Sequence, residues 1–297
     1  MADFDIERFV RHSKALDTSD IDWAEARRVG LLRDEVQLLQ YMQDTESHIM
    51  MYLRDLLSGY AVTDPEVTTF LACWVYEETH HGRALDRMLV ETGAAAAANE
   101  RHARVHTKTS TREMLTGALG RLAAQATPHF SAVHMAWGAI NEFIAAMSYT
   151  QMARLTQNRP LQLLLNRLAK DERRHFAFYY DQAEKRLLRG GAVAQSLCRL
   201  ILTNFWKPVG LGVGSTDTGD MICSYSWSDQ RGRRDVIALD EMVRTLPGME
   251  VWGETLGKWR DVGLERFRRE HPERYADHRR AEAARDGATT ESADIAY

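Results

Sequence analysis

Two short stretches of the sequence decide the fold: Glu77-Glu78-Thr79-His80-His81-Gly82 and Asp171-Glu172-Arg173-Arg174-His175. Each contains the pattern Glu-x-x-His. On an α-helix, residues three apart lie on the same face one turn apart, so the carboxylate and the imidazole of one motif can bind the same metal ion. Each stretch interrupts a long segment whose apolar residues recur every three or four positions, which predicts a helix. The chain is therefore expected to carry polar, ligand-type side chains inside a helical core.

The first stretch admits two pairings, because both Glu77 with His80 and Glu78 with His81 have the right spacing. The apolar stripe of the helix decides between them. Glu78 and His81 continue the stripe that is expected to face the core, which consists of Leu71, Trp74, Leu85 and Met88 or Leu89. Glu77 and His80 follow a less apolar series that ends in a charged residue. We therefore expect Glu78 and His81 to face the core.

The same pattern recurs in the second half of the chain. Glu172 and His175 continue a stripe made of Leu161, Leu165, Leu168 and Tyr179. The helix before each motif carries one glutamate on its core stripe. Glu46 lies 32 residues before Glu78, and Glu142 lies 30 residues before Glu172, with the predicted turns near the middle of each interval. Equal distances from a turn mean equal height in an antiparallel pair, so the sequence predicts a duplicated Glu…Glu-x-x-His hairpin.

The six residues of this pattern form a candidate dimetal centre. Four buried carboxylates without partners would cost many kcal/mol through desolvation and mutual repulsion. Two divalent ions would cancel the four negative charges, and oxygen and nitrogen ligands without a thiolate favour iron or manganese. The glutamates of the two motifs are expected to bridge the ions, with the other two as terminal ligands. The predicted ligands are Glu46, Glu78, His81, Glu142, Glu172 and His175.

Two further acids are candidates for orienting the histidines. A metal-bound imidazole usually donates its second nitrogen to a carboxylate. Asp171 precedes Glu172 and Glu77 precedes Glu78 in the sequence. We predict that Asp171 orients His81 and that Glu77 orients His175. The other histidines, among them His102, His106 and His134, carry no such pattern and are expected at the surface or in packing.

Composition bounds the class of protein. The chain has 297 residues, with 38 basic and 42 acidic side chains and a net charge of −4, which does not suggest nucleic-acid binding. Three widely spaced cysteines argue against a disulfide framework or a Cys-x-x-Cys site. The sequence has neither an apolar signal segment at its start nor a stretch long enough to span a membrane. A cytoplasmic protein is expected.

Helical periodicity predicts an all-α fold with a four-helix bundle core, additional helices and an irregular C-terminal region. A single domain over 1–297 is expected, with its core at about 26–190, an extension at 191–280 and a frayed tail at 281–297. Residues 94–110 should form a connection, and the glycine-rich stretch 210–219 an irregular loop. One or two short helices are expected within 234–259. The other predicted helices cover about 26–57, 65–91, 111–125, 130–156, 161–189 and 192–205.

The two motifs resemble those of a known family. Glu77 to Gly82 looks like the Glu-Glu-x-x-His-Gly signature of the soluble acyl-acyl-carrier-protein desaturases, and Asp171 to His175 looks like their Asp-Glu-x-Arg-His motif. The resemblance covers about residues 30–190. It implies a ferritin-like diiron carboxylate bundle, two iron ions held by the six residues above, and a homodimer. It further implies oxygen-dependent desaturation of an acyl chain held on a carrier protein, with electrons from a ferredoxin-type donor.

One position departs from that family. The plant desaturases have a threonine one turn after the third-helix glutamate, and this chain has Ala145 there. A diiron tailoring oxygenase, which hydroxylates its substrate or oxygenates an arylamine nitrogen, is therefore an alternative. A metal-binding bundle without turnover is another. The arginine-rich stretches 186–189 and 231–234 are either solvated faces or docking sites for an acidic carrier.

Overall fold

The computed structural model of this protein describes residues 3–47, 49–94, 125–206 and 216–280. Within these ranges the chain is helical and has no strand. The helices are α1 (Ile6–His12), α2 (Trp23–Val29), α3 (Arg33–Ser47), α4 (Ile49–Leu57), α5 (Pro65–Glu91), α6 (Phe130–Leu155), α7 (Arg159–Phe205), α8 (Thr216–Trp227), α9 (Gln230–Thr245) and α10 (Thr255–Glu270). Residues 272–280 are helical as well. The predicted all-α, ferritin-like bundle is confirmed.

Two hairpins form the bundle. In the first, α3 packs against α5, and a short 3₁₀ turn, Tyr60–Thr63, leads into α5. In the second, α6 packs along α7. Asp64 begins α5 by accepting backbone hydrogen bonds from Glu66 and Val67, and proline occupies the first helical position. The hairpins place the four helices that carry the candidate ligands side by side around one apolar core.

The start of the bundle differs from the sequence prediction. A single helix from about Ala26 to Leu57 is expected, but α2 ends at Val29 and α3 begins only at Arg33. Gly30 ends α2 with a φ of 74°, a left-handed conformation that favours glycine. The buried Asn158 side chain donates hydrogen bonds to the carbonyls of Ala26 and Gly30 at 3.1 and 3.0 Å. This tertiary contact fixes the turn, and local periodicity does not reveal it.

The second hairpin ends in a kink. The sequence predicts a stop at Gly190-Gly191 followed by another helical piece. In the structure α7 bends at Gly191, where φ is 55° and ψ is −149°, and helical structure then resumes as far as Phe205. A residue with a β-carbon rarely adopts this conformation, so the glycine permits the change of direction.

The C-terminal region is more regular than the sequence predicts. Helix α8 packs against α3, α6 and α10, and α9 packs against α6 and α10. Buried Asp240 accepts hydrogen bonds from Trp252 Nε1 at 2.7 Å and from the backbone N–H groups of Leu256 and Gly257 at 3.1 and 3.0 Å. These bonds hold the first turn of α10 against α9. Contacts of this kind are long-range, which explains why periodicity alone suggested an irregular segment.

Several expectations fall partly or wholly on residues that the structure does not describe. The predicted connection, 94–110, lies outside the described residues from 95 onward. Most of the predicted helix 111–125 lies outside them as well. The same holds for the tail 281–297 and for His102 and His106. Of the glycine-rich stretch 210–219, only residues 216–219 are described, and they begin α8. Among the described helices, none has the length and apolar character needed to cross a membrane.

Candidate metal centre

The six predicted ligands meet in the middle of the bundle. Glu46 comes from α3, Glu78 and His81 from α5, Glu142 from α6, and Glu172 and His175 from α7. All six side chains are buried, and both histidines are 0% exposed. Burial of this many ionisable groups is rare unless they pair with one another or bind a cation.

The six side chains form two overlapping groups. The first consists of Glu46, Glu78, His81 and Glu172, and the second of Glu78, Glu142, Glu172 and His175. In each group the candidate ligand atoms lie within 4.8 Å of one another. Glu78 and Glu172 belong to both groups, whereas each histidine and each remaining glutamate belongs to one.

Both histidines direct Nδ1 toward the shared carboxylates. Nδ1 of His81 lies 3.2 Å from Glu78 Oε2 and 3.2 Å from Glu172 Oε1. Nδ1 of His175 lies 2.9 Å from Glu78 Oε1 and 3.3 Å from Glu172 Oε2. The arrangement is therefore close to two-fold symmetric, as expected for a duplicated hairpin.

The opposite nitrogen of each histidine contacts an acid on the neighbouring helix. Nε2 of His81 lies 3.4 Å from Asp171 Oδ2, and Nε2 of His175 lies 2.7 Å from Glu77 Oε2. These are the pairings that the helix spacing predicts. One guanidinium nitrogen of Arg174 donates to both acids, at 2.8 Å to Asp171 and 3.0 Å to Glu77. Arg174 thereby ties together the supports of the two histidines, a role that the sequence analysis missed.

Two aromatic donors contact the terminal glutamates. The Tyr149 hydroxyl donates to Glu46 Oε1 at 2.5 Å, and Trp74 Nε1 donates to Glu142 Oε1 at 3.2 Å. Trp74 was expected only as an apolar residue on the core stripe of its helix. Trp74 and Tyr149 each carry a polar atom and share a helix with a candidate ligand, and this was the signal in the sequence that could have revealed the two contacts.

The electrostatics of the cluster follow from burial. Burial raises the pKa of Glu46 well above its ordinary value, and the neighbouring carboxylate of Glu78 adds to the shift. Burial likewise raises the pKa of Glu142. Burial also opposes ionisation of Glu78, but a hydrogen bond with Glu46 and the charges of both histidines hold its pKa well below the ordinary value.

The histidines balance the ionised glutamates. Burial disfavours their charged form, yet the surrounding carboxylates raise the pKa of His81 and of His175 well above the ordinary value. The pKa of Glu172 is lowered, since its contacts with both histidines outweigh burial and the charge of Glu78. Protons and anions therefore compensate one another within the cluster, and divalent cations could replace those protons.

The donor set fits a pair of divalent cations. Oε1 of Glu78 and Oε1 of Glu172 are buried and accept no hydrogen bond in the described structure, although each faces a histidine Nδ1. A buried carboxylate oxygen whose contacts do not form a well-directed hydrogen bond is costly in a core, and a bound cation would satisfy it. Four carboxylates and two imidazoles, with no sulfur among them, match the preferences of iron and manganese.

Other histidines lie apart from the cluster. His80 is half-buried and packs its ring 4.7 Å from the ring of Tyr76, and the ring of His134 lies 4.8 Å from that of Phe130. Neither belongs to the candidate metal groups. The ambiguity in the first motif is thus resolved by position: His81 lies in the cluster, and His80 does not. Cys73, Cys198 and Cys223 are free thiols.

Fold and site together define a helical-bundle protein with a buried carboxylate and histidine cluster able to hold metal ions. A sequence model of the family described as fatty acid desaturase matches residues 45–201, which is more than half of the chain and contains all six cluster residues. The chain belongs to the fatty acid desaturase family. Neither a curated protein nor a solved structure matched the chain.

Proposed function

We propose that this protein holds two iron ions and uses molecular oxygen to desaturate an acyl chain bound to a carrier protein. The carrying observation is the pair of overlapping ligand groups that share Glu78 and Glu172. Each group offers three carboxylates and one imidazole, and sharing two carboxylates is the arrangement expected for bridged ions. Membership of the fatty acid desaturase family supports the acyl substrate. Manganese in one or both positions is the alternative metal.

Each of the six side chains has a distinct role in this proposal. Glu78 and Glu172 would bridge the ions, Glu46 and His81 would complete one position, and the remaining pair, Glu142 and His175, would complete the other. The bound iron would supply oxygen activation. Desaturation balances when two hydrogens from the acyl chain, two electrons from a donor protein and two protons from solvent reduce one O₂ to two waters. A ferredoxin-type protein is the proposed donor.

The surroundings of the cluster suit chemistry that must exclude water. Phe70 stacks on Phe178 with ring centroids 3.7 Å apart, and the Phe70 ring lies 6.2 Å from that of His175. Phe9 of α1 lies equally close to His175 from the N-terminal side. Two aromatic rings, those of Phe9 and Phe70, therefore pack near the imidazole of His175. A dry site protects reactive intermediates from side reactions.

A carrier protein and a second copy of the chain are further proposed partners. In the arginine-rich stretch 186–189, Arg186 already forms an ion pair with Asp64 at 2.5 Å and is therefore less available to bind a partner. Arg231, Arg233 and Arg234 are exposed at the start of α9. The latter stretch is accordingly the one to test as a docking surface for an acidic carrier. A homodimer is proposed from the family resemblance.

Metal analysis tests the site. The iron-loaded protein should contain about two iron ions per chain. His81→Ala and Glu172→Ala should each lower this content, because each removes a ligand. His80→Ala is the matched control, since it removes the adjacent imidazole that lies outside the cluster. An iron content that is unchanged in both ligand variants would refute the ligand assignment.

Turnover tests the reaction. The iron-loaded protein is incubated with ferredoxin, its reductase and acyl-carrier proteins that carry acyl chains of several lengths. The product masses are then measured by mass spectrometry. Loss of two mass units supports desaturation. A gain of sixteen would instead support the tailoring oxygenase, which Ala145 favours because it lacks a hydroxyl one turn after Glu142. Two bound iron ions with no oxygen-dependent product would support a bundle without turnover.

A further inference from the structure

The two terminal glutamates are held in different ways. Glu46 accepts a hydrogen bond from the phenol of Tyr149 at 2.5 Å, a side chain that is only 1% exposed. Glu142 accepts one from the indole of Trp74 at 3.2 Å. Hydrogen bonds to carboxylates strengthen as they shorten, and an O–H donor approaches more closely than an N–H donor. The structure thus constrains Glu46 more strongly.

A second contact confines Glu46 from another side. A β-carbon built at Gly82 would lie 3.2 Å from Cβ of Glu46, so the absence of a side chain at Gly82 allows α3 to approach α5 closely here. Glu46 is thus packed against α5 and bonded by α6. The contact with α5 fixes the β-carbon of Glu46, and the hydrogen bond from Tyr149 orients its carboxylate. This preorganisation should favour metal binding.

We propose that Tyr149 is the positioning residue for Glu46, and that it makes the position formed by Glu46 and His81 the tighter of the two metal positions. The inference rests on the proposed two-metal site and adds an order of filling to it. Tyr149 acts through the carboxylate and need not touch a metal. The first divalent cation then enters at Glu46 and His81, and the second at Glu142 and His175.

Calorimetric titration with Co²⁺, which needs no reductant, tests this proposal. The wild-type protein should bind two ions in two resolved steps. Tyr149→Phe should weaken the tighter step by about 10–100-fold, the usual effect of losing a group that orients a ligand. Tyr180→Phe is the matched control. It removes another buried hydroxyl, one that contacts Thr245 at 2.8 Å and no member of the cluster. Its two affinities should equal those of the wild type.

Single-position variants show which metal position is affected. In a His175→Ala background the position with Glu46 and His81 remains, and Tyr149→Phe should weaken Co²⁺ binding there by the same factor. In a His81→Ala background Tyr149→Phe should have no effect. Replacing Tyr149 with p-aminophenylalanine, which keeps a donor at the same place, should restore affinity. Such rescue would show that the hydrogen-bond donor at this position, and not only the packing of the ring, sets the metal affinity.

The failures are distinguishable. A wild-type protein that binds fewer than two Co²⁺ refutes the two-metal site itself. Two tight ions in the wild type with unchanged affinities in Tyr149→Phe refute only the role of Tyr149. Equal weakening in both single-position backgrounds, or no rescue by the amino analogue, also overturns it, since either result indicates a general loss of packing. Circular dichroism of each variant verifies that the bundle is intact.

Discussion

Arg174 offers a test of how the two halves of the centre are coupled. Its guanidinium is the shared donor to Glu77 and Asp171, and these acids in turn contact His175 and His81. Arg174→Gln removes the charge and leaves two largely buried carboxylates without their common donor. The perturbation therefore acts on both histidines without altering a ligand.

The structure sets the size of the effect. Each hydrogen bond from a charged donor contributes about 1.5–3 kcal/mol, and two such bonds are lost. The side chain of Arg174 is 27% exposed and that of Asp171 is 18% exposed, so water recovers part of this energy. We expect the free energy of unfolding of the metal-free protein to fall by roughly 2–4 kcal/mol. For a chain of 297 residues that is a decrease in Tm of roughly 3–6 °C.

The assay is thermal unfolding followed by circular dichroism, with Co²⁺ affinity measured in parallel. Arg173→Gln is the matched control, because Arg173 is the adjacent arginine and, among the described residues, donates to the hydroxyl of Thr150 at the exposed surface. Its free energy of unfolding should change by less than about 1 kcal/mol. An equal loss of stability in the two variants would refute the idea that Arg174 couples the histidine supports, as would full stability in Arg174→Gln.

Three further outcomes are expected. Gly138→Ala should lower the free energy of unfolding by about 1–3 kcal/mol in denaturant melts, because the new β-carbon would overlap the buried Tyr179 ring. Wild-type stability would show that the ring can move aside. Asn158→Ala should cost about 2–3 kcal/mol in the same melts, because it removes the α7 cap and two bonds to the turn after α2; a loss below about 0.5 kcal/mol would contradict this. Burial works to raise the pKa of Asp34, but hydrogen bonds from His278 and Arg274 lower it overall. The stabilisation from ionised Asp34 is therefore fully present above the pKa of this group in the unfolded chain, and it is lost as pH falls through the lower pKa of the folded protein. Asp34→Asn should be less stable than the wild type near neutral pH and should lose less stability on acidification. Acid-unfolding curves that run parallel for the two proteins would argue against this.

Much of the site could be predicted because its signals are local. Glu78 with His81, and Glu172 with His175, are three residues apart, and the helical period alone places each pair on one face. The stripe also separated His81 from His80. Level partners in an antiparallel hairpin follow from counting residues to the turn. The assignment of these residues as ligands remains a prediction.

The sequence by itself determined the helical class, the duplicated hairpin and the set of residues that meet in the core. Only the tertiary structure decided which donors reach that set. Tyr149 lies 103 residues from Glu46, Trp74 lies 68 residues from Glu142, and Arg174 lies 97 residues from Glu77. Such contacts depend on the distance and rotation between helices, which packing of the whole core sets and no periodic pattern encodes. The same reason explains the turn at Gly30 and the ordered helices of the C-terminal region.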